Sequence, residues 1–243
     1  MGALATFARN DLRTVRRDSM LVTVILGPFL YAAALWFLPA ITGYVARQYA
    51  FDLVPYHSAI ISAFCVLGPP LLLGAVLALQ LLDERDQNTL AALRVTPVPP
   101  ITYPAYRAGV TIALTTFSVL ASLAISRQVD TRTIALSVPI ALMAGLLAPV
   151  LGFVMSSLGR NKIEGLAVMR VVGLAVFTVP MIPFFILDSP WQLAFGVLPA
   201  YWPVRAFWSA FDGGSYWPYA AVGLLYNAAL VGTLLRVVTR RLR

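Results

Sequence analysis

DERDQNTLAALRVTP, residues Asp83 to Pro97, decides the fold by its position, because it is the densest charge in the chain and lies between two long apolar runs. Ile60 to Leu82 before it and Gly109 to Ile125 after it contain no charged residue. The hydrocarbon core of a bilayer is ~30 Å thick, so a helix that crosses it needs ~20 mostly apolar residues. The two runs therefore read as membrane spans and the charged stretch as their connection on one side. Its middle, Thr89 to Arg94, has helix-forming composition, and Thr96-Pro97 stops it. A short docking helix is expected here, not merely a linker.

The same reasoning extends to both ends. Of the 243 residues 60% are hydrophobic and 12% charged, with a mean hydropathy of +0.81, a composition that soluble domains do not have. Six spans are expected: Met20 to Ile41, Ile60 to Leu82, Gly109 to Ile125, Leu136 to Leu158, Gly165 to Leu187 and Tyr219 to Val238. The fold class is thus an all-α membrane protein with one transmembrane domain over residues 1–243. The third span is short and carries Thr111, Thr115, Thr116, Ser118 and Ser122. Such hydroxyls can bond back to the preceding turn, or the span is sheltered by its neighbours.

Basic residues in short loops stay on the cytoplasmic side. Thirteen Arg and Lys flank the chain ends and the connections after the second and fourth spans, against four (Arg47, Arg127, Arg132 and Arg205) on the other side. Both termini are expected in the cytoplasm, which places the stretch at 83–108 there too. The net charge of +8 sits beside span ends rather than on a soluble basic domain, so anionic lipid head groups are the expected partner and nucleic acid is not.

Residues 1–19 place Leu4, Phe7, Ala8, Leu12 and Val15 at helical spacing among Arg9, Asn10, Arg13, Arg16 and Arg17. They read as an amphipathic helix on the inner membrane surface. The apolar run from Met20 to Pro39 exceeds the core of a cleaved signal peptide. On the outer side, residues 188–218 hold Trp191, Trp202, Trp208 and Trp217, four of five tryptophans. Tyr201 to Phe211 is expected to form an interfacial or re-entrant helix; a plain aromatic anchor at the membrane boundary is the alternative.

The inventory for chemistry is short. Cys65 and His57 are each the sole residue of their type, and there is no G-x-x-x-x-G-K-[ST] phosphate loop, G-x-S-x-G elbow or H-E-x-x-H pair. No cofactor, metal site or catalytic residue is assigned, and the chain reads as a non-enzyme. Arg170 lies about a turn and a half into the fifth span, where an intramembrane charge is costly. It either snorkels to the head groups, pairs with Asp83 or Glu84, or serves substrate passage. Prolines 28, 69, 70, 139, 149, 180 and 183 interrupt four spans and can kink them.

Glu84-Arg85-Asp86-Gln87-Asn88-Thr89-Leu90-Ala91-Ala92-Leu93-Arg94-Val95-Thr96-Pro97, following the second of six spans with both ends inside, resembles the type-2 permease family of ABC transporters. That position in the family carries an acidic-basic-acidic start, Gly-Thr, a few helical residues ending in Leu, and Ser/Thr-Pro. Glu84, Arg85, Asp86, Thr89, Leu93, Thr96 and Pro97 match. Asn88 replaces the usual Gly and tolerates a left-handed turn better than most residues; Ala91 replaces a common Glu. Tyr103-Pro104-Ala105-Tyr106-Arg107 and Asn161-Lys162-Ile163-Glu164-Gly165-Leu166-Ala167 are similar to the small drug-export permeases that include actinobacterial fluoroquinolone exporters.

The resemblance implies a permease in the bacterial cytoplasmic membrane, partnered by a separate ATP-binding subunit and a second permease chain, identical or related. It implies ATPase-coupling roles for Glu84, Arg85, Asp86, Thr89, Leu93, Thr96 and Pro97: Glu84 and Asp86 as charged contacts, Thr89 as an N-terminal cap or turn residue, Leu93 as apolar anchor, with packing against its own bundle the alternative, and Pro97 as helix stop. Drug or amphiphile export by alternating access is the expected function; haem, lipid or polysaccharide export and a non-transporting scaffold are the alternatives. A lipid-modifying enzyme would need an acidic or histidine cluster, and the external acids Asp52, Asp130, Asp188 and Asp212 are scattered. Thr115, Ser118, Thr178 and Asn227 could line a dimer seam or bond between helices, so no substrate site is assigned.

Overall fold

The computed structural model describes residues 19–86 and 101–242. The amphipathic helix expected over residues 1–19, apart from Ser19, and the loop positions Thr89, Leu93, Thr96 and Pro97 lie outside them. Among the described residues the regular structure is entirely helical. Six helices are long and apolar enough to cross a membrane: Val22–Tyr49, Val54–Asp86, Thr102–Ser126, Val138–Leu158, Ile163–Ile186 and Trp217–Arg240. One falls on each expected span.

Prolines set how these helices are wound. The first span is α1 (Ser19–Ala34) and α2 (Leu38–Tyr49), joined by a 3-10 turn at Leu35–Phe37. Pro39, just beyond that turn, has no N–H to donate into it. The second span is α3 (His57–Ile61), a π-helical segment at Ser62–Leu67, and α4 (Gly68–Asp86). Pro69 and Pro70 remove two successive donors from its ladder, and the wider π turn accommodates the break. The third span is α5 (Thr102–Ser126); α6 (Thr131–Leu136) and α7 (Val138–Leu158) follow. The fifth span begins as α8 (Lys162–Thr178) and tightens to 3-10 helix over Val179–Ile186, where Pro180 and Pro183 fall. After a 3-10 segment at Pro190–Val197 come α9 (Tyr201–Phe211) and α10 (Trp217–Leu242).

The second and fourth spans form the centre, with 78% and 72% of their apolar windows buried, against 22%, 11% and 17% for the first, fifth and sixth. Helices α4 and α7 meet backbone to backbone. A Cβ on Gly74 would lie 2.7 Å from the Ala148 carbonyl oxygen, and one on Gly152 would lie 3.0 Å from the Gly74 carbonyl oxygen. Gly145 does the same for α5, since a Cβ there would strike Thr116 Oγ1 and lie 2.9 Å from the Ile112 carbonyl oxygen. Small residues permit this approach between membrane helices, where close packing replaces the hydrophobic effect as the driving force.

The third span starts at Thr102, seven residues before the expected Gly109, so Tyr103 and Arg107 belong to a helix rather than to the connection. Its hydroxyls are mostly turned inward. Thr111 Oγ1 donates to the Arg107 carbonyl at 2.9 Å and Thr116 Oγ1 to that of Ile112 at 2.8 Å. Ser122 Oγ reaches the Pro28 carbonyl of the first span at 3.4 Å. Thr115, Ser118 and Asn227 are buried inside the bundle; Thr178 is exposed.

At the end of the bundle opposite Glu84, Tyr201, Phe207 and Trp208 of α9 are fully buried, and Trp208 Nε1 donates to Ser62 Oγ of the second span at 2.8 Å. Arg205 donates to Gln192 Oε1 at 2.7 Å and to Ser209 Oγ at 2.6 Å, and its guanidinium lies 4.4 Å from the centre of the Tyr219 ring. Trp191 and Trp217 remain exposed.

Candidate functional site

The charged stretch leaves the membrane from α4 and returns through α5, and the site is built where those helices end. Gln80 and Glu84 stand four residues apart on α4; Tyr103 and Arg107 stand four apart on α5. That spacing puts each pair on one face of its helix. The two faces meet. Arg107 donates through Nη2 to Glu84 Oε1 at 2.5 Å, through Nη1 to Gln80 Oε1 at 3.0 Å and through Nε to the Tyr103 hydroxyl at 2.8 Å. The Tyr103 hydroxyl donates in turn to Glu84 Oε1, and the guanidinium lies 5.3 Å from the centre of the Tyr103 ring.

Burial makes this cluster costlier to break than a surface ion pair. The Arg107 and Glu84 side chains are 11% and 15% exposed, so water and salt screen them little. Glu84 Oε1 takes both donors, whereas Glu84 Oε2 is buried without a hydrogen-bond partner. Beside the cluster, Gln80, Arg107 and Thr111 form the polar end of a cavity of about 80 Å³ closed by Ile25, Leu73, Val76, Val110 and Leu114. Drug-sized ligands occupy pockets of ~300 Å³ or more. In this conformation the cavity is too small for one.

Three consecutive residues thus have three destinations. Glu84 turns inward to the third span, and Arg85 Nη1 donates to the Gly159 carbonyl at 3.2 Å, in the connection between the fourth and fifth spans. Asp86 is exposed. The connection that Arg85 reaches is itself well fixed. Asn161 Oδ1 accepts from the Glu164 N–H at 2.9 Å and Glu164 Oε2 accepts from the Arg160 N–H at 3.0 Å, a reciprocal cap that starts α8. Gly165 brings that start against Leu82 of α4.

Arg170 is exposed on α8 and makes no hydrogen bond or ion pair with a described residue. The pairing with Glu84 weighed from sequence is replaced by Arg107, which reaches that carboxylate from a neighbouring helix. His57 opens α3 and shares a 2.9 Å hydrogen bond with Thr42 Oγ1, tying the outer parts of the first two spans.

A family model described as fluoroquinolones export permease protein Rv2686c-like matches residues 11–235. The chain belongs to this family. Two fluoroquinolones export permease proteins of Mycobacterium tuberculosis, MT2760 of strain CDC 1551 / Oshkosh and Rv2686c of strain ATCC 25618 / H37Rv, are each 42% identical to it over 235 residues. The match covers 96% of this chain and 93% of each relative. No solved structure matches the chain. Membership of this permease family and the six long apolar helices make the chain a multi-pass membrane protein with a transport role.

Within this export permease, sequence reasoning named Glu84, Arg85 and Asp86 but not Gln80, Tyr103 and Arg107 as partners. The signal was present: Gln80 with Glu84, and Tyr103 with Arg107, are polar pairs at helical spacing on either side of the charged stretch. Reading Tyr103 to Arg107 as loop concealed the second pair.

Proposed function

We propose that this chain is the membrane-spanning subunit of an ATP-driven exporter in the bacterial cytoplasmic membrane, moving fluoroquinolone-type drugs or similar amphiphiles outward by alternating access. ATP is bound and hydrolysed on a separate chain. The observation that supports this most is the match to fluoroquinolone export permeases over 96% of the chain, taken with the absence of a phosphate loop from the sequence. A permease of the ABC type draws its energy from an ATP-binding partner, which fits a sequence with no phosphate loop.

The coupling element in this reading is the segment from Glu84 to Pro97. Asp86, Thr89, Leu93, Thr96 and Pro97 form its docking part, with Leu93 as apolar anchor, while Glu84 and Arg85 root it in the bundle. Coupling requires that the ATPase bind the two permease states with different affinity, since equal affinity shifts nothing. A second permease chain, identical or related, covers part of the exposed apolar surface of the peripheral spans, and lipid covers the rest.

The test is affinity purification of the detergent-solubilised chain from its native membrane, with mass spectrometry of what accompanies it. An ATP-binding protein is expected in wild type and is lost, or reduced at least fivefold, in Leu93→Ala. Recovery of no ATP-binding protein, under conditions that keep other membrane complexes intact, would refute the reading.

A further inference from the structure

We propose that Gln80, Glu84, Tyr103 and Arg107 form an internal coupling clamp, in which Tyr103 and Arg107 are positioning residues that make the third span follow the second when an ATPase moves the segment between them. The inference rests on the reading of the chain as an ATPase-driven permease and adds Gln80, Tyr103 and Arg107, which that reading does not use.

Position is the first support. Glu84 is two residues from the last residue of α4, and Arg107 is five residues into α5. The cluster therefore joins the two helices where the connecting segment leaves and re-enters the membrane. A pull on that segment reaches both helices, and the clamp decides whether they move as one body. A separate polar tie from this end of α4 runs from Arg85 to the fourth-to-fifth connection.

Geometry is the second. Arg107 spends three donors on three acceptors, two of them on α4 and one on its own helix. A planar guanidinium held at three points fixes the rotation of α5 against α4, which an ammonium could not do. Burial is the third: a pair this shielded is costly to break, unlike an exposed one. The unpartnered Glu84 Oε2 gives the clamp a second arrangement. A small rotation of α5 moves Arg107 Nη1 from Gln80 to that oxygen, converting a one-oxygen contact into a two-oxygen fork, the stronger form of an arginine–carboxylate pair.

The experiment compares the wild-type permease with Arg107→Gln, Tyr103→Phe, Arg107→Glu and the exchanged pair Glu84→Arg/Arg107→Glu, each purified with its ATPase and placed in inverted vesicles. ATPase recovery, ATP hydrolysis and fluoroquinolone accumulation are measured together. In Arg107→Gln the drug moved per ATP falls at least tenfold while ATPase recovery stays within twofold. Tyr103→Phe, a milder change, lowers the ratio two- to fivefold, and the exchanged pair recovers at least a third of what Arg107→Glu loses. An unchanged ratio in Arg107→Gln and Tyr103→Phe overturns the clamp, as does an exchanged pair no better than Arg107→Glu. A parallel loss of ATPase recovery in Arg107→Gln also overturns it, because it would make the cluster a docking surface. If wild type recovers no ATPase, the underlying reading fails first, and that outcome is distinct from all of these.

Discussion

A buried polar side chain in a membrane protein is legible only with its partner. Trp208 is fully enclosed, and its indole N–H is satisfied by Ser62 Oγ. Ser62→Ala leaves that donor buried and unpaired, a cost of about 1–3 kcal/mol, and thermal unfolding of the detergent-purified chain reads it as a lowered midpoint. Trp208→Ala removes the whole ring and should cost about 3–5 kcal/mol. Asp130 shows the opposite environment. Its carboxylate caps α6 by accepting from the Thr133 N–H at 3.3 Å, and hydrogen bonding from Thr133 holds its pKa below the ordinary carboxylate value. A lowered folded pKa means the cap is worth most above the unfolded value near ~3.9 and is lost as pH falls through the folded one. Amide exchange over residues 131–137 is expected to accelerate in that acid range only, and Asp130→Asn should abolish the acid dependence. For Arg170, exposed and without a described partner, snorkelling implies that Arg170→Lys inserts and exports as wild type does.

At the scale of elements, the six spans were legible because each is an apolar run of membrane length, and this pattern survives without knowledge of neighbours. The ends of the fourth, fifth and sixth lie within two residues of those expected, while the first, second and third run further. The third span runs to Thr102 and carries Arg107 to Glu84 of another helix; the spacing within each pair was legible, the meeting of the two pairs was not. The first span extends to Tyr49 although Arg47 and Gln48 read as loop. The docking positions from Thr89 to Pro97 rest on sequence alone. Close helix contacts at glycine were also invisible in a chain with 16 of them, and they differ in consequence. Gly74→Val must push against the backbone of α7 and should destabilise by about 1–3 kcal/mol. Gly173→Ala meets nothing closer than a Leu71 methyl at 3.6 Å and should be neutral. Equal unfolding midpoints for the two variants would contradict the backbone contact between α4 and α7.

The described residues place the end of α4 and the Arg160 connection at one end and α9 at the other, with central spans enclosed and peripheral ones facing outward. Cysteine labelling tests this topology directly, because the native Cys65 is buried. An impermeant thiol reagent should modify Ser215→Cys in intact cells and Arg160→Cys only in inverted membranes; the reverse pattern would break the six-span arrangement. The proposal that the molecule exports drugs at the expense of ATP is best examined in inverted vesicles containing the permease and its co-purified ATPase, by following the uptake of a fluorescent fluoroquinolone. Uptake should require ATP, stop with a non-hydrolysable analogue, and vanish when either chain is omitted. Uptake that proceeds equally without ATP, or without the ATPase, would show that the chain is not the transport subunit of an ATP-driven exporter.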